Sequence, residues 1–169
     1  FDYAEIRSTR GAVIFDSSGR KKISSKTKKG TRFNGWLKMN HKEYVSILEQ
    51  SKKIICPDNV VLKVNNEIVD RKKLLSQFTC TLPTIIENVA GELRKAPKQT
   101  LVNVYPKSSD NGKVFELGIP VVDIDIDYDV DIQQKIPLNK DRDNVTPAFR
   151  KTLATEVLNH CHTLIKEDN

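Results

Sequence analysis

The sequence predicts an α+β fold, a mostly antiparallel sheet with helices packed on one face. Two segments carry helical spacing behind a start signal, one after Asn40 and one after Thr146-Pro147. Around them lie short β-like runs divided by turn residues: Asp16-Ser17-Ser18-Gly19, Asn65-Asn66 and Ser108-Ser109-Asp110-Asn111-Gly112. The order is strands, helix, several strands, helix, with no internal repeat. A chain of 169 residues fits one domain, or one domain and part of another.

Taken in order, Gly11 to Asp16 is an apolar run, and Arg20 to Ser25 returns as the second arm of a hairpin. Lys26 to Lys29 is a basic loop, read either as a solvated tip or as a nucleic-acid patch. Arg32 to Met39 is a strand with Phe33, Trp36 and Leu37 as its apolar members. Asn40 and Glu43 have the spacing of a capping box, which opens a helix over His41 to Ile55. Tyr44, Val45, Leu48, Lys52 and Ile55 would form its buried face. Val60 to Val64 and Glu67 to Val69 make a hairpin on the two-residue Asn65-Asn66 turn. Leu75 to Leu82 is β-like, with Phe78, Cys80 and Leu82 on one side, and Ile85 to Val89 continues it after Pro83. Thr100 to Tyr105, Lys113 to Leu117 and the run after Gly118 are further strands.

From Asp123 to Ile132, aspartate alternates with apolar or aromatic residues. Strict alternation predicts a strand with one wet acidic face, or a hairpin broken near Asp125 to Asp127. Carboxylates at that period lie roughly 7 Å apart, too far for one metal ion without help from other strands. A solvated face, or partners for nearby lysines, is expected instead. In the last helix Thr146 is the N-cap, Pro147 sits at N1, and Phe149, Leu153, Val157, Cys161 and Leu164 mark the core face out to Ile165. Successive helical residues such as His160, Cys161 and His162 point about 100° apart and cannot converge on one ion.

Composition narrows the function classes. A formal net charge of +6 favours an acidic partner such as phosphate or nucleic acid. Three widely spaced cysteines match no metal spacing and no disulfide framework, which suits a reducing cytoplasm. No apolar run approaches the ~20 residues that span a bilayer, and no signal-peptide pattern is read. The chain opens on Phe1 in what reads as mid-domain, so a fragment of a longer protein is expected.

No Gly-rich phosphate loop, nucleophile elbow or paired Cys and His assembles a catalytic set. The stretch from Asp131 to Pro147 remains, a strand end passing through a polar loop to a helix start. Gln134 and Lys135 stand where the strand gives way. A lysine there can set an ammonium against a phosphate, and Gln134 can orient a water or phosphate oxygen. The bland alternative for Lys135 is an ordinary solvent-facing residue. For Asp141-Arg142-Asp143-Asn144 it is a salt-bridged turn capping the helix.

The segments Phe115-Glu116-Leu117-Gly118-Ile119-Pro120-Val121-Val122, Gln134-Lys135-Ile136-Pro137-Leu138-Asn139 and Asp141-Arg142-Asp143-Asn144-Val145-Thr146-Pro147-Ala148-Phe149 together resemble a family of phage and bacterial ATP-binding proteins. That family belongs to the GHKL superfamily, with gyrase B, MutL and the topoisomerase VI B subunit. Asn65-Asn66-Glu67 and Phe78-Thr79-Cys80-Thr81-Leu82-Pro83-Thr84 resemble its hairpin and following strand. The likeness spans residues 60 to 160 and is looser before that.

The resemblance implies closing strands of a Bergerat-type ATP-binding domain over residues 1–40. It implies a transducer domain of ribosomal-protein type, with left-handed crossovers, over residues 41–169. The superfamily's helix with a Glu base and Mg-binding Asn, its D-x-G loop and its Gly-rich lid are not in this chain, so ATP and Mg would be held by a domain outside it. Gly30-Thr31 is similar to the superfamily's last Gly-Thr motif beside the nucleotide. Lys135, with Gln134 or Gln133, stands where the superfamily presents a lysine to the γ-phosphate. Implied partners are the N-terminal ATPase domain, a second copy in a homodimer, and DNA. The competing expectation is a stand-alone nucleic-acid-binding or protein-interaction module, drawing on the basic segments Arg20 to Arg32 and Arg71 to Lys73.

Overall fold

Turn residues decide where the strands pair. The computed structural model of the chain describes residues 2–139 and 144–164. Strands β1 (Tyr3–Ser8), β2 (Gly11–Asp16), β3 (Gly19–Ile23) and β4 (Arg32–Trp36) form an antiparallel sheet in the order β3-β2-β1-β4. The Asp16 carboxylate accepts from the Ser18 amide at 2.8 Å and so closes the β2–β3 turn, while Gly19 takes the positive φ beside it. Helix α1 (His41–Ser51) opens on the expected capping box. The Glu43 amide donates to Asn40 Oδ1 at 3.0 Å, and the Asn40 amide donates to Glu43 Oε2 at 2.8 Å.

The chain divides into two units, Phe1–Ile47 and Leu48–Asn169, and the division falls inside α1 rather than ahead of it. Two expectations for α1 change. It ends at Ser51 instead of Ile55, because the Lys53 amide turns back to Gln50 O and the Ile55 amide donates to Gly118 O at 2.8 Å. No residue of α1 is buried, and Tyr44 and Val45 are exposed, so helical spacing marked an apolar stripe without the cover that would bury it.

In the second unit, β5 (Lys63–Val64) and β6 (Glu67–Ile68) flank Asn65 and Asn66, at φ 51° and 68°. These are the positive values that a two-residue hairpin turn demands and that Asn tolerates. The hairpin is shorter than expected: Val60 and Val61 are exposed and pair with no strand.

The main sheet has the order β10-β9-β11-β8-β7. Its strands are β7 (Ser76–Glu87), β8 (Leu93–Pro106), β9 (Gly112–Glu116), β10 (Ile119–Ile124) and β11 (Tyr128–Ile132). All neighbours are antiparallel except β9 and β11. Pro83 interrupts nothing. It lies opposite Pro97, where β7 is the sheet edge and β11, which pairs with Val102 to Pro106, no longer flanks β8. A missing N–H is tolerated where no third strand needs it.

Helix α2 (Pro147–Cys161) covers one face of this sheet. The Phe149 amide donates to the Thr146 hydroxyl, as the N-cap predicts. Its Phe149, Leu153, Val157 and Cys161 join Phe78, Cys80, Leu82, Val102, Val104, Val130 and Ile132 in one core. His160 stacks on Phe78 with ring centroids 4.1 Å apart. The other face carries Gln77, Asn103 and Tyr105 under the connector from Ile54 to Leu74. The molecule is therefore α+β, with a mostly antiparallel sheet and one helix laid across it. No helix among the described residues is long and apolar enough to cross a membrane.

Candidate functional site

The chain leaves β11 with its backbone still held. The Gln133 amide donates to Leu101 O at 3.0 Å. Gln134 then turns inward and is 6% exposed. Its Nε2 donates to Leu82 O at 3.2 Å, and its Oε1 has no partner among the described residues. Lys135 comes next and is exposed. Its carbonyl accepts from the Thr84 hydroxyl at 2.8 Å, and the following amide, of Ile136, donates to Glu116 Oε2 at 2.8 Å. Ile136 and Pro137 are buried again.

Lys135 is thus a single outward residue between inward neighbours, with its backbone tied to β7 on one side and β9 on the other. No ion pair among the described residues holds its ammonium. Such a side chain can act as a positioned point charge toward an anion. Gln134 is differently disposed: it is buried, and its Nε2 is engaged by the β7 backbone.

The far end of the loop closes just as tightly. The Asn139 amide donates to Asn144 O at 2.9 Å, and Leu138 bridges Val145. Asn144 Oδ1 accepts from Arg150 Nη2 at 2.6 Å. Lys140, Asp141, Arg142 and Asp143 lie outside the described residues, as does Ile165. The expected helix stops short of it: α2 ends at Cys161, a 3-10 turn follows over His162–Leu164, and Leu164 is exposed rather than on the core face. Gly30 and Thr31 belong to the first unit, on the approach to β4. Gly30 takes φ 69°, its carbonyl accepts from the Thr27 hydroxyl at 2.7 Å, and both residues are exposed.

Sequence reasoning missed a second polar cluster, on the sheet face opposite α2. The acidic run breaks at Asp125 to Asp127, but its two arms, β10 and β11, form no hairpin because β9 lies between them, and Asp129 and Asp131 are 0% and 3% exposed rather than wet. Asp129 pairs with Lys72 and accepts from the Ser108 hydroxyl at 2.8 Å and the Lys113 amide at 2.9 Å. The same Lys72 ammonium lies 4.7 Å from the centre of the Phe115 ring. Asp131 accepts from the Gly118 amide at 2.7 Å and from Gln133 Nε2 at 2.5 Å. Burial raises the Asp131 pKa above the usual carboxylate range, and the hydrogen bonds from Gly118, Gln133 and Asn103 only partly oppose it.

The basic connector is committed here too. Arg71 binds the Asp58 carboxylate and Val60 O, and Lys72 is spent on Asp129. A cavity of about 280 Å³ remains between the connector and this face, lined by Cys56, Arg71, Gln77, Asn103 and Tyr105 among others. The missed signal was Gly118. At φ 84° and packed against the Ile55 carbonyl it admits no side chain, which marks a backbone crossing above Asp131.

Cys80 and Cys161 are buried free thiols. Burial, with the Glu156 charge second, pushes the Cys80 thiol up to about 11, and burial raises Cys161 as well. His160 and His162 each set Nδ1 against a backbone carbonyl of α2, Glu156 O and Asn159 O. Comparison with family models, with characterised proteins and with solved structures finds nothing that matches the chain.

Proposed function

We propose that the chain carries the closing strands of a GHKL-type ATP-binding domain followed by a transducer-like domain. It couples ATP binding, in a domain supplied outside this sequence, to dimerisation or to a DNA-directed action. The observation that carries this reading is the presentation of Lys135, a lone exposed ammonium on a loop braced by Thr84 and Glu116. The nucleotide with its Mg supplies the phosphoryl group to be transferred. Lys135 supplies a positive charge where negative charge accumulates, carried on a backbone held by Thr84 and Glu116. Gln134, packed against Leu82, positions the loop. Gly30 and Thr31 are the residues proposed to border the nucleotide from the first unit.

The test is ATP turnover by a full-length protein containing this chain. Replacing one such charge-stabilising donor costs ~10²–10³ in turnover, so Lys135→Ala should lower the rate by that order while the melting temperature stays put. Turnover unchanged by the substitution removes Lys135 from the mechanism. The 169-residue chain alone should neither hydrolyse ATP nor bind it tightly.

A stand-alone nucleic-acid-binding or interaction module is the second reading. The excess positive charge of the first unit favours it, and salt-dependent binding to DNA or RNA is its signature.

A further inference from the structure

The positive charge of this protein is not spread over it. Residues 1–47 hold eleven Lys and Arg against four Asp and Glu, whereas residues 48–169 hold seventeen against eighteen. The net +6 therefore resides in the first unit, with the second close to neutral.

Within that unit the four acids are all spent. Asp2 pairs with Lys38, Glu5 with Arg7, and Asp16 with Lys21, while Glu43 takes the Asn40 amide. Arg10, Lys22, Lys26, Lys28, Lys29 and Arg32 have no ion-pair partner among the described residues, and all six are exposed.

The register gathers these six at one end of the sheet. Ser8 pairs with Gly11, Ala12 with Ile23, and Arg7 with Arg32, so β1 and β3 finish there and β2 and β4 begin there. Arg10 sits in the β1–β2 turn, and the loop of residues 24–31 runs along the same end. That loop is braced midway, where the Thr27 amide donates to Ser8 O at 3.1 Å and the Thr27 hydroxyl to Gly30 O at 2.7 Å. Lys26 and Lys28 flank the brace. Four strands at ~4.8 Å spacing make this rim roughly 15 Å wide. Duplex DNA carries one charge per ~1.7 Å of axis, so several phosphates can lie along it at once.

We propose that this rim, formed by Arg10, Lys22, Lys26, Lys28, Lys29 and Arg32, binds the phosphodiester backbone of a nucleic acid. A row of separate cations suits a repeated charge better than a single phosphate, which would need donors converging on one point. The proposal rests on charge and register in the first unit and does not depend on the Lys135 assignment. Loss of ATP turnover in Lys135→Ala and loss of nucleic-acid binding are separable results.

The experiment is fluorescence anisotropy of a labelled duplex, and of the matching single strand, titrated with the 169-residue chain at several salt concentrations. Binding should weaken steeply with salt. A combined Lys26→Ala, Lys28→Ala, Lys29→Ala variant should weaken it at least tenfold and flatten the dependence of log K on log salt by ~3. All three side chains are exposed, so circular dichroism should be unaltered. A control variant, Arg94→Ala, Lys95→Ala, Lys98→Ala, removes three exposed cations of the second unit and should leave binding within twofold.

No binding at low salt overturns the proposal, as does a control variant that costs as much as the loop variant. Inorganic tripolyphosphate is the third arm. Displacement by micromolar tripolyphosphate would identify a pocket for one triphosphate group and overturn the nucleic-acid assignment; resistance to it supports the extended rim.

Discussion

Asp131 and Asp123 stand in one alternating run and meet opposite fates. Asp123 reaches solvent and pairs with Lys113, whereas Asp131 is enclosed beneath the Ile55–Gly118 crossing. Alternation reports which face a carboxylate occupies but not what lies over that face, and this is why the buried cluster was illegible. The enclosure has a pH signature. The folded-state pKa of Asp131 is raised by burial, so between the ordinary aspartate range and that raised value the folded chain holds more protons than the unfolded one. Stability contributed at this site is greatest below the window and declines as pH rises through it. Asp131→Asn removes the titration. Urea unfolding across pH 4 to 7 should show that decline in the native protein and a flatter profile in the variant. Parallel profiles would mean that Asp131 ionises without penalty.

Element by element, local signals were read well where packing agreed with them. Helix α2 needed only the Thr146 cap, Pro147 and one apolar face, and all three lie where its packing requires them. Strand β8 extends from Leu93, well before the expected Thr100, because its first half pairs only with β7. The stretch Arg94-Lys95-Ala96-Pro97-Lys98-Gln99 carries no alternation, since an arm without a covered face selects for none. The Lys135 loop was legible as a strand end. Its bracing was not, because Thr84 and Glu116 are distant in sequence and neither announces its partner. The weight of α2 is itself testable. Leu153 is fully buried at the centre of its core face. Leu153→Ala should cost ~2–5 kcal/mol, read as a lower urea midpoint at unchanged slope. A loss below ~1 kcal/mol would mean that α2 is not integral to this core.

At the scale of the molecule the two units differ in what they can bury. Every member of the main core lies between Phe78 and Cys161. The cover of the opposite face, from Ile54 to Leu74, belongs to the same unit. Among the described residues of the first unit the only buried apolar side chains are Ala4 and Ala12, and Ile6, Phe15, Phe33 and Trp36 are exposed. A sheet needs a covered hydrophobic face to stand alone, and chains of this size are marginal even with one. Residues 48–169 produced alone should therefore keep a cooperative thermal transition within a few degrees of that of the 169-residue chain. Residues 1–47 alone should show no cooperative transition by circular dichroism. A cooperative transition in the short piece would assign it a core of its own and weaken the view that its strands complete a larger domain. Its absence would leave the exposed β4 aromatics needing cover, as closing strands of an ATP-binding domain would.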